Sequence, residues 1–414
     1  MRTSAIILSY RPGDWLASAI DSVVDQVDDL VVVDNGSEDA TASGVAGPLG
    51  ARVVRSARNL GFAGGVNLGW RHAQGDVVAL LNDDAVASPG WMAGAVASLA
   101  ASDVAAVVPK VLLTGWYKEV RFDDPVQLAA GDPRPLGRRL SSATVDGRDV
   151  LARLRGPGVY RLEQQPHGDR WRWTCPGRPL YVPVPDPDAP VRIDGEPVGG
   201  RACRLLNKAG SMLHEDGTFG DIADGEPDDG QWDRPGERFF ASGTAVVLRA
   251  DAFAQVGTLA EPLFAYYEDV DWSWRARLAG WRVRYDPATV VEHRHGATSG
   301  GAASRWVQRV SPRNHLLCVV RNAPAAVIPA IVARHLAEPD PAGMRRSFAC
   351  MVPWAVASRR RLARRWVLSP GEIWAAWAGA VEHPVDAAHR RRAATTTTCI
   401  LAGRALLDRQ RSPG

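Results

Sequence analysis

The first hundred residues alternate short apolar runs with amphipathic segments, and this alternation limits the fold more than any other sequence feature. The apolar runs at Ser4–Leu8, Leu30–Val33, Arg52–Val54 and Val77–Leu81 have the length and aliphatic content of buried strands. Between the first two runs, apolar residues from Leu16 to Val27 recur at helical spacing. Strands that alternate with helices in this way predict an α/β fold with a mostly parallel, Rossmann-like sheet.

Polar residues follow each of these predicted strands. In open parallel sheets, ligands bind beyond the carboxyl ends of the strands. The sequence therefore predicts a binding site formed by the polar segments Ser9-Tyr10-Arg11, Asp34-Asn35, Asn59–Asn67 and Asn82-Asp83-Asp84.

The pattern changes between residues 116 and 204, where Pro, Gly, Arg and aromatic residues are dense. Short alternating stretches, and a hairpin turn at Asp194-Gly195, predict a β-rich insertion there. Its aromatic residues Trp171, Trp173 and Tyr181 have two interpretations, carbohydrate contact or the core of a small module. The core is favoured because small domains need aromatic bulk.

We predict four regions along the chain: 1–115 and 205–322 as the two halves of one catalytic domain, 116–204 as the insertion, and 323–414 as an arginine-rich helical tail. The tail contains no acid between Asp340 and Glu372, although the whole chain has 49 basic and 46 acidic residues. Its arginines and its interspersed Trp354, Trp366 and Trp374 suggest adhesion to an anionic membrane surface. A solvated helical cap is the alternative, and nucleic acid ranks last because no recognised nucleic-acid module is present.

No transmembrane helix is predicted, because the charge-free apolar stretches of the tail are shorter than the roughly 20 residues needed to span a bilayer. The five cysteines are scattered without CxxC spacing, which argues against a disulfide framework. Arg11 and Asp14 interrupt the first apolar run too early for a signal peptide. A cytoplasmic protein is expected, with a possible peripheral position on the inner face of the cytoplasmic membrane.

Two acidic segments carry the strongest chemical signal. Asn82-Asp83-Asp84 follows an aliphatic strand, so its carboxylates are placed to bridge Mg²⁺ or Mn²⁺ to phosphate oxygens, although a plain turn has the same composition. Glu268 and Asp269 begin a predicted helix near small residues at 242–244, which suggests a general base beside room for a substrate. Stabilisation by the helix dipole and an Asp271–Arg275 pair are the structural alternative.

Three further features are weaker by themselves. The glycine-rich segment at 59–67 would let the backbone approach a phosphate, but it is not the GxGxxG fingerprint. Asp34 is placed to accept from a ribose or base, or to form an ordinary turn. His293 and His295 follow an apolar strand, where an imidazole would complete a metal shell or simply form a hydrogen bond.

Taken together, the segments resemble the inverting glycosyltransferase family 2, in the branch of rhamnosyltransferase- and galactofuranosyltransferase-like enzymes with the GT-A fold. The resemblance covers residues 3 to about 115 and 203 to about 322. It rests on the opening strand with Ser9-Tyr10-Arg11 and on the segments VVVDNGSEDAT, NLGFAGGVN, LLNDDA, ASGTAVVLR, FAYYEDVDWSWRARLAGW and VEHRHGATS.

The resemblance implies roles for individual residues. Asp269 would be the catalytic base, with Glu268 beside it, and Asp84 and His293 would be the metal ligands. The nucleotide-sugar site would comprise Ser9, Tyr10, Arg11, Asp34, Asn35, Asn59, Gly61, Phe62, Gly65, Asn67, Asn82 and Asp83. The acceptor site would comprise Ser242, Gly243, Thr244, Tyr267 and Trp272. Asn82 and Arg11 depart from the family pattern, which bears on metal affinity and on the identity of the nucleotide.

The predicted function is transfer of a sugar from a nucleoside-diphosphate sugar, dTDP-rhamnose or a UDP-sugar, to a hydroxyl of a cell-envelope or polysaccharide glycan, including a lipid-linked glycan. A sugar-nucleotide synthesising enzyme is the first alternative, but the sequence after strand one lacks its glycine-rich basic loop. A catalytically silent carbohydrate-binding scaffold with the same fold is the second.

Overall fold

The computed structural model describes residues 1–11, 13–38, 41–127, 132, 134–165, 167–294, 304–340 and 342–380 of the 414-residue chain. These residues form two compact units. The first comprises residues 1–111, 209–222 and the described residues from 233 onward, and the second comprises residues 112–208 and 223–232.

The N-terminal part of the first unit contains the predicted alternation of strands and helices. Its strands are β1 (Thr3–Ser9), β2 (Asp29–Asp34), β3 (Arg52–Arg55), β4 (Val77–Asn82), β5 (Ala85–Ala87) and β6 (Val104–Leu113). Its helices are α1 (Trp15–Val23), α2 (Thr41–Ala46), α3 (Gly61–His72) and α4 (Trp91–Ser98). Strand β1 lies between β2 and β4, with Ile6 opposite both Val31 and Leu80. Ala5, Ile6 and Ile7 are almost fully buried, so both faces of the strand are covered, which explains the apolar run.

The second unit is built of short strands, as the alternating pattern predicts. They are β7 (Trp116–Val120), β8 (Arg139–Leu140), β9 (Ala143–Val145), β10 (Arg148–Asp149), β11 (Glu163–Gln164), β12 (Arg170–Trp173), β13 (Leu180–Val184), β14 (Val191–Ile193), β15 (Glu196–Val198), β16 (Arg201–Cys203) and β17 (Leu206–Lys208). The predicted turn at Asp194-Gly195 joins β14 to β15, with φ of 49° and 83°.

The aromatic residues of this unit differ in their surroundings. Tyr181 is only 3% exposed and packs in a small cluster with Tyr117 and Leu205, so it is a core residue. Trp171 and Trp173 are half-buried, and the guanidinium of Arg139 lies 4.4 Å from the centre of the Trp171 ring. The core interpretation therefore holds for Tyr181.

The remainder of the first unit contains β18 (Ser211–Leu213), β19 (Phe219–Asp221), β20 (Gly236–Glu237), β21 (Ala245–Arg249) and β22 (Arg282–His293). Its helices are α5 (Ala250–Val256), α6 (Glu268–Leu278), α7 (Arg305–Asn322), α8 (Ile328–Ala337), α9 (Met344–Leu362) and α10 (Pro370–Trp377). Single 3₁₀ turns occur at Val24–Gln26, Leu151–Arg153, Glu261–Leu263 and Ala363–Arg365.

The large sheet has the strand order β20-β22-β6-β21-β4-β1-β2-β3. The pairs from β4 to β3 are parallel, as predicted from the first hundred residues. Strand β21 instead runs antiparallel to both β4 and β6, and β20 runs antiparallel to β22. Strand β6 therefore runs in the same direction as β4, and β21 is reversed between them. The pairing of β21 with β4 brings residues around 244 beside the acidic end of β4.

The tail helices are part of the core of the first unit. Phe348 of α9 and Trp377 of α10 share one apolar cluster with Trp274 of α6 and Leu317 of α7. The described tail helices therefore pack on α6 and α7. Among the residues that the structure describes, no helix is both long enough and apolar enough to cross a membrane.

The tail tryptophans do not form a surface anchor, which corrects that part of the membrane prediction. Trp377 is 1% exposed, and Trp354, Trp366 and Trp374 are half-buried against the same cluster. The guanidinium of Arg321 lies 4.6 Å from the centre of the Trp354 ring. These side chains stabilise the fold because they bury large apolar areas.

Candidate functional site

The acidic segment at the end of β4 is held by the neighbouring strand. Leu8 of β1 lies opposite Asn82, and the hydroxyl of Ser9 donates a 2.8 Å hydrogen bond to Oδ2 of Asp83. The pKa of Asp83 is raised to about 6, mainly by burial and also by the charge of Asp84, while the Ser9 hydrogen bond opposes this rise. Asp83 is thus a buried carboxyl group that is hydrogen-bonded to Ser9.

Asp84 lies next to His293. The pairing of β5 with β22 places His293 opposite Ala85, and Nε2 of His293 is 3.2 Å from Oδ1 of Asp84. Both side chains are buried. Two ligands of one octahedral divalent ion, with bonds of about 2.1 Å, lie about 3 Å apart, so these two atoms fit neighbouring coordination positions.

This pair is smaller than a complete protein metal site. Within the described ranges, no group of three or more His, Cys, Asp or Glu side chains is arranged to hold a metal ion. His295, the other predicted candidate, lies outside the described residues. A metal held by Asp84 and His293 would need further oxygen ligands from a bound substrate or from water.

The second acidic segment lies at the start of α6. Oδ2 of Asp269 accepts a 2.8 Å hydrogen bond from the backbone amide of Gly243, and Oδ1 accepts one of 2.7 Å from the amide of Val270. Only backbone amides are involved in these two bonds, so they orient the carboxylate while leaving its charge in place.

The residues at 242–244 join the two acidic segments. The carbonyl of Thr244 accepts a 3.0 Å hydrogen bond from the amide of Asn82, while the amide of Gly243 binds Asp269. The hydroxyls of Ser242 and Thr244 are 3.2 Å apart on the same turn. Asn82, two residues before Asp84, and Asp269 are thus bonded to the same three-residue turn although they are far apart in sequence.

Glu268 and Asp269 have opposite environments. Glu268 is 5% exposed, and its Oε2 has no hydrogen-bond partner within the described part of the chain. Burial raises the pKa of Glu268 well above its usual value, and the charges of Asp269 and Asp271 raise it further. Burial thus disfavours the charged form of Glu268, whereas the carboxylate of the half-buried Asp269 is held by backbone amides, so Asp269 is the better candidate for the base.

A strained turn precedes these acids. Phe264, Tyr266 and Tyr267 all have φ near 70°, a region that non-glycine residues rarely adopt. Burial raises the pKa of Tyr267 to about 12, so its hydroxyl stays protonated. Strain of this kind concentrates at functional sites, where surrounding contacts maintain it.

The glycine-rich segment packs directly on this turn. The amide of Ala63 donates a 3.0 Å hydrogen bond to the carbonyl of Phe264. Gly61 has φ of 72°, and a Cβ there would overlap the Phe264 carbonyl. A Cβ on Gly243 would lie 2.9 Å from the ring of Phe62, so the absence of side chains permits both close approaches.

Asp34 and Asn35 organise the loops around the end of β2. Asp34 is fully buried and accepts hydrogen bonds from the Ser37 amide at 3.0 Å and the Ser43 hydroxyl at 3.1 Å. The Asn35 amide group donates to Oδ1 of Asn59 and to the carbonyl of Gly61, each at 3.1 Å. A Cβ on Gly65 would overlap Leu8, which places α3 tightly against β1.

Two residues near this loop face outward. Arg11 has a positive φ of 52°, and its half-exposed side chain pairs with Glu38 and lies 5.3 Å from the centre of the Tyr10 ring. Arg55 was not predicted as a site residue. Its Nη2 donates to the Ser37 carbonyl at 2.8 Å and its Nε is 3.5 Å from Asp34. Its place at the carboxyl end of β3 is the sequence signal that would have identified it.

The structure does not bring two predicted site residues to the site. Asn67 is 1% exposed, and its side chain exchanges hydrogen bonds with the backbone of Leu259. Trp272 is 2% exposed and stacks on Phe253, with ring centres 5.7 Å apart. These contacts hold both side chains in the interior of the first unit, and their assignments as binding residues stay predictions.

Part of the chain matches a known family. Residues 4–124 match the sequence model of the family described as Glycosyl transferase family 2. The galactofuranosyltransferase GlfT1 of Mycolicibacterium smegmatis (strain ATCC 700084 / mc(2)155) is 34% identical over 147 residues, which cover 33% of this chain and 46% of that protein. The alignment therefore spans less than half of the curated relative.

Solved structures extend the likeness at the level of the fold. A crystal structure of GalNAc-T7 with UDP, GalNAc and Mn²⁺ superposes with a TM-score of 0.52 at 12% identity, over 90% of this chain and 56% of that chain. The mannosyltransferase PcManGT of Pyrobaculum calidifontis, in complex with GDP-Man and Mn²⁺, gives a TM-score of 0.41 at 14% identity, over 88% and 85% of the two chains. The first of these likenesses places the chain with the GT-A fold.

Proposed function

We propose, from the premise that residues 4–124 are a glycosyl transferase family 2 domain, that this protein transfers a sugar from a nucleoside-diphosphate sugar to an acceptor hydroxyl with inversion at the anomeric carbon. The observation that carries this proposal is the 242–244 turn, which binds the Asn82 amide on one side and the Asp269 carboxylate on the other. The turn thus joins the strand end that leads to Asp84, the proposed metal ligand, to Asp269, the proposed base. This arrangement suits direct displacement of the diphosphate by the acceptor hydroxyl.

Asp84 and His293 are the proposed metal ligands on the donor side. Their oxygen and nitrogen donors, 3.2 Å apart, suit Mg²⁺ or Mn²⁺, and the GalNAc-T7 structure contains Mn²⁺. When bound, such an ion would neutralise the charge that develops on the departing diphosphate. The outward-facing Arg11 and Arg55 are proposed to lie near the nucleotide.

Asp269 is the proposed base on the acceptor side. It would remove the proton of the acceptor hydroxyl as that oxygen attacks the anomeric carbon from the side opposite the diphosphate. The Gly243 amide holds Oδ2 of Asp269 in place, and burial raises the pKa of Glu268, which disfavours a second negative charge beside it. Half-buried Tyr267 and the small side chains of the 242–244 turn would border the acceptor.

The proposed donors are dTDP-rhamnose and UDP-sugars, and the identity to a galactofuranosyltransferase favours a galactofuranosyl donor among the latter. The proposed acceptor is a cell-envelope or polysaccharide glycan, either free or lipid-linked. A screen of sugar nucleotides for thermal stabilisation, with and without Mn²⁺, would identify the donor because ligands that bind the native state raise its melting temperature.

The decisive experiment compares two acids with a matched control. Asp269→Asn should reduce transfer by at least about 10³-fold while leaving donor binding nearly unchanged, since only the base is lost. Asp251→Asn changes another acid in the first turn of a helix, α5, and should retain full activity. Unchanged turnover in Asp269→Asn would refute the assignment of the base.

Asp84→Ala tests the metal site separately. It should weaken the metal-dependent part of donor binding, and EDTA should have the same effect on the wild-type protein but little further effect on the variant. Donor affinity that is insensitive to EDTA would show that the Asp84–His293 pair has another purpose.

Adhesion to the inner face of the cytoplasmic membrane is the proposed localisation, and it now rests on charge alone. Arg346, Arg360, Arg361 and Arg364 are exposed on α9 and the turn after it. Replacing all four with Ser should abolish binding to anionic liposomes at low salt, because each contributes about 1 kcal/mol near such a surface. Equal binding of both proteins, or none by the wild type, would exclude this localisation.

A further inference from the structure

A buried asparagine of α7 binds the strained turn that leads to Asp269. Asn314 is fully buried, and its Nδ2 lies 2.8 Å from the carbonyl oxygen of Leu263, 2.9 Å from that of Ala265 and 2.8 Å from that of Tyr266. One amide group thus contacts three of the five carbonyls between residues 263 and 267.

The orientation of this amide is fixed by its neighbour in sequence. Nε and Nη2 of Arg313 donate to Oδ1 of Asn314, at 2.9 and 2.8 Å. Because the guanidinium can only donate, the oxygen of the asparagine must face Arg313, and the NH₂ group must face the turn.

The two other carbonyls of the turn also have donors. The Phe264 carbonyl accepts from the amide of Ala63, and the Tyr267 carbonyl accepts from the amide of Asp271 at 2.9 Å and from Sγ of Cys318 at 3.3 Å. The NH₂ group of Asn314 has two hydrogens for its three neighbours, and the Leu263 carbonyl also accepts from the amide of Ala265 at 2.9 Å. Every carbonyl from Leu263 to Tyr267 therefore has a donor. Asn314 and Cys318 are one helical turn apart, so a single face of α7 supplies most of the contacts from outside the turn.

These contacts compensate for an unfavourable backbone. Three non-glycine residues with positive φ would relax toward other conformations without external restraint. Relaxation would rotate the first turn of α6, which begins at Glu268 directly after Tyr267. Asp269 would then lose its alignment with the Gly243 amide.

We propose that Asn314 is a positioning residue that sets the orientation of the Asp269 carboxylate through the turn at 263–267. This inference rests on the proposed function of Asp269 as the base. Asn314 does not touch substrate in this proposal, and it acts only through the three carbonyls that its amide group binds.

Asn314→Asp is the sharpest test because it keeps the shape of the side chain while removing the NH₂ donor. Transfer should fall about 10²-fold in kcat, the size expected for a displacement of about 1 Å at a catalytic group, while the KM for the donor changes less than threefold. Hydrogen exchange of the Val270 and Asp271 amides, which have bonds at this junction, should accelerate at least tenfold.

Asn322→Ala is the matched control. Asn322 is also a fully buried asparagine of α7, but its Nδ2 donates to Asp271 and to the Cys318 carbonyl rather than to the turn. This variant should lower the melting temperature while kcat stays within threefold of the wild type. A purely structural role for Asn314 would make the two variants alike.

The outcomes separate this inference from the proposed function. If Asn314→Asp retains kcat within threefold, or loses activity only in proportion to its unfolded fraction, the positioning role is refuted. If the wild-type protein transfers no sugar from any donor, the proposed function fails, whereas accelerated exchange in Asn314→Asp but not in Asn322→Ala would still show that Asn314 holds the turn.

Discussion

At the scale of single residues, the site depends on positions where a side chain is absent or fully buried. Gly61 and Gly243 let the backbone of one segment approach the atoms of another, and neither approach leaves room for a Cβ. Burial raises the pKa of Glu268, whereas the carboxylate of its neighbour Asp269 is half-buried and bound by backbone amides. The two adjacent acids of this pair therefore have different environments, and this difference is why Asp269 is the one proposed as the base.

Gly61→Ala should destabilise the protein by about 3 kcal/mol or more, because it adds overlap with the Phe264 carbonyl to the cost of a positive φ. Gly90→Ala is the control, since Gly90 has φ of 81° with open space around its Cβ position. It should cost only about 1–2 kcal/mol. Urea unfolding measures the free energy of unfolding of both variants. Equal losses of stability would show that the close approach at Gly61 is unimportant.

At the scale of secondary-structure elements, a buried ionic network joins α6 to α7. Asp271 is fully buried, with Nε of Arg275 at 2.9 Å and Nε of Arg321 at 2.7 Å. Burial alone would raise the pKa of Asp271, but the two guanidiniums and the hydrogen bonds from Arg321 and Asn322 outweigh it and lower the pKa to about 2. The Asp271–Arg275 pair predicted from sequence is confirmed, while Arg321 is the partner that only folding supplies.

Asp271→Ala should cost about 3–5 kcal/mol in the free energy of unfolding at pH 7, because two buried guanidiniums lose their counter-ion. In the wild type this stabilisation is present above pH 4 and declines as the pH falls toward 2, since the folded-state pKa is below the ordinary value of 3.8. Asp251→Ala, which breaks a partly exposed pair with Arg249, should cost less than about 1 kcal/mol. Similar losses in both variants at pH 7 would contradict a structural role for the network.

At the scale of the whole molecule, the tail helices complete the hydrophobic core that supports the site. The cluster containing Trp274 of α6 and Leu317 of α7 extends to Phe348, Ile373 and Trp377. Helices α6 and α7 carry Asp269, the proposed base, and Asn314, so the tail supports these two elements by apolar packing.

A chain that ends at Gly343 should fail to fold cooperatively, because it would expose the apolar faces of α6 and α7 that α9 and α10 cover. Thermal unfolding followed by circular dichroism should show no sharp transition. The full-length variant with Ser at Arg346, Arg360, Arg361 and Arg364 should melt within a few degrees of the wild type. A truncated protein that melts like the full-length one would mean that the tail is dispensable for the core.

Local sequence patterns determined the strands, most helices and the identity of the acidic segments, because burial and side-chain period act over a few residues. The same patterns did not show that Asn67 and Trp272 are buried, since adjacency to a motif in sequence does not decide which side of a helix meets the core. The reversed direction of β21, the joining of Asn82 to Asp269 at the 242–244 turn, and the contacts of Asn314 with the turn before Asp269 were decided only by the tertiary structure. These features depend on contacts between residues far apart in sequence, and the free energy of such contacts appears only when the chain is packed.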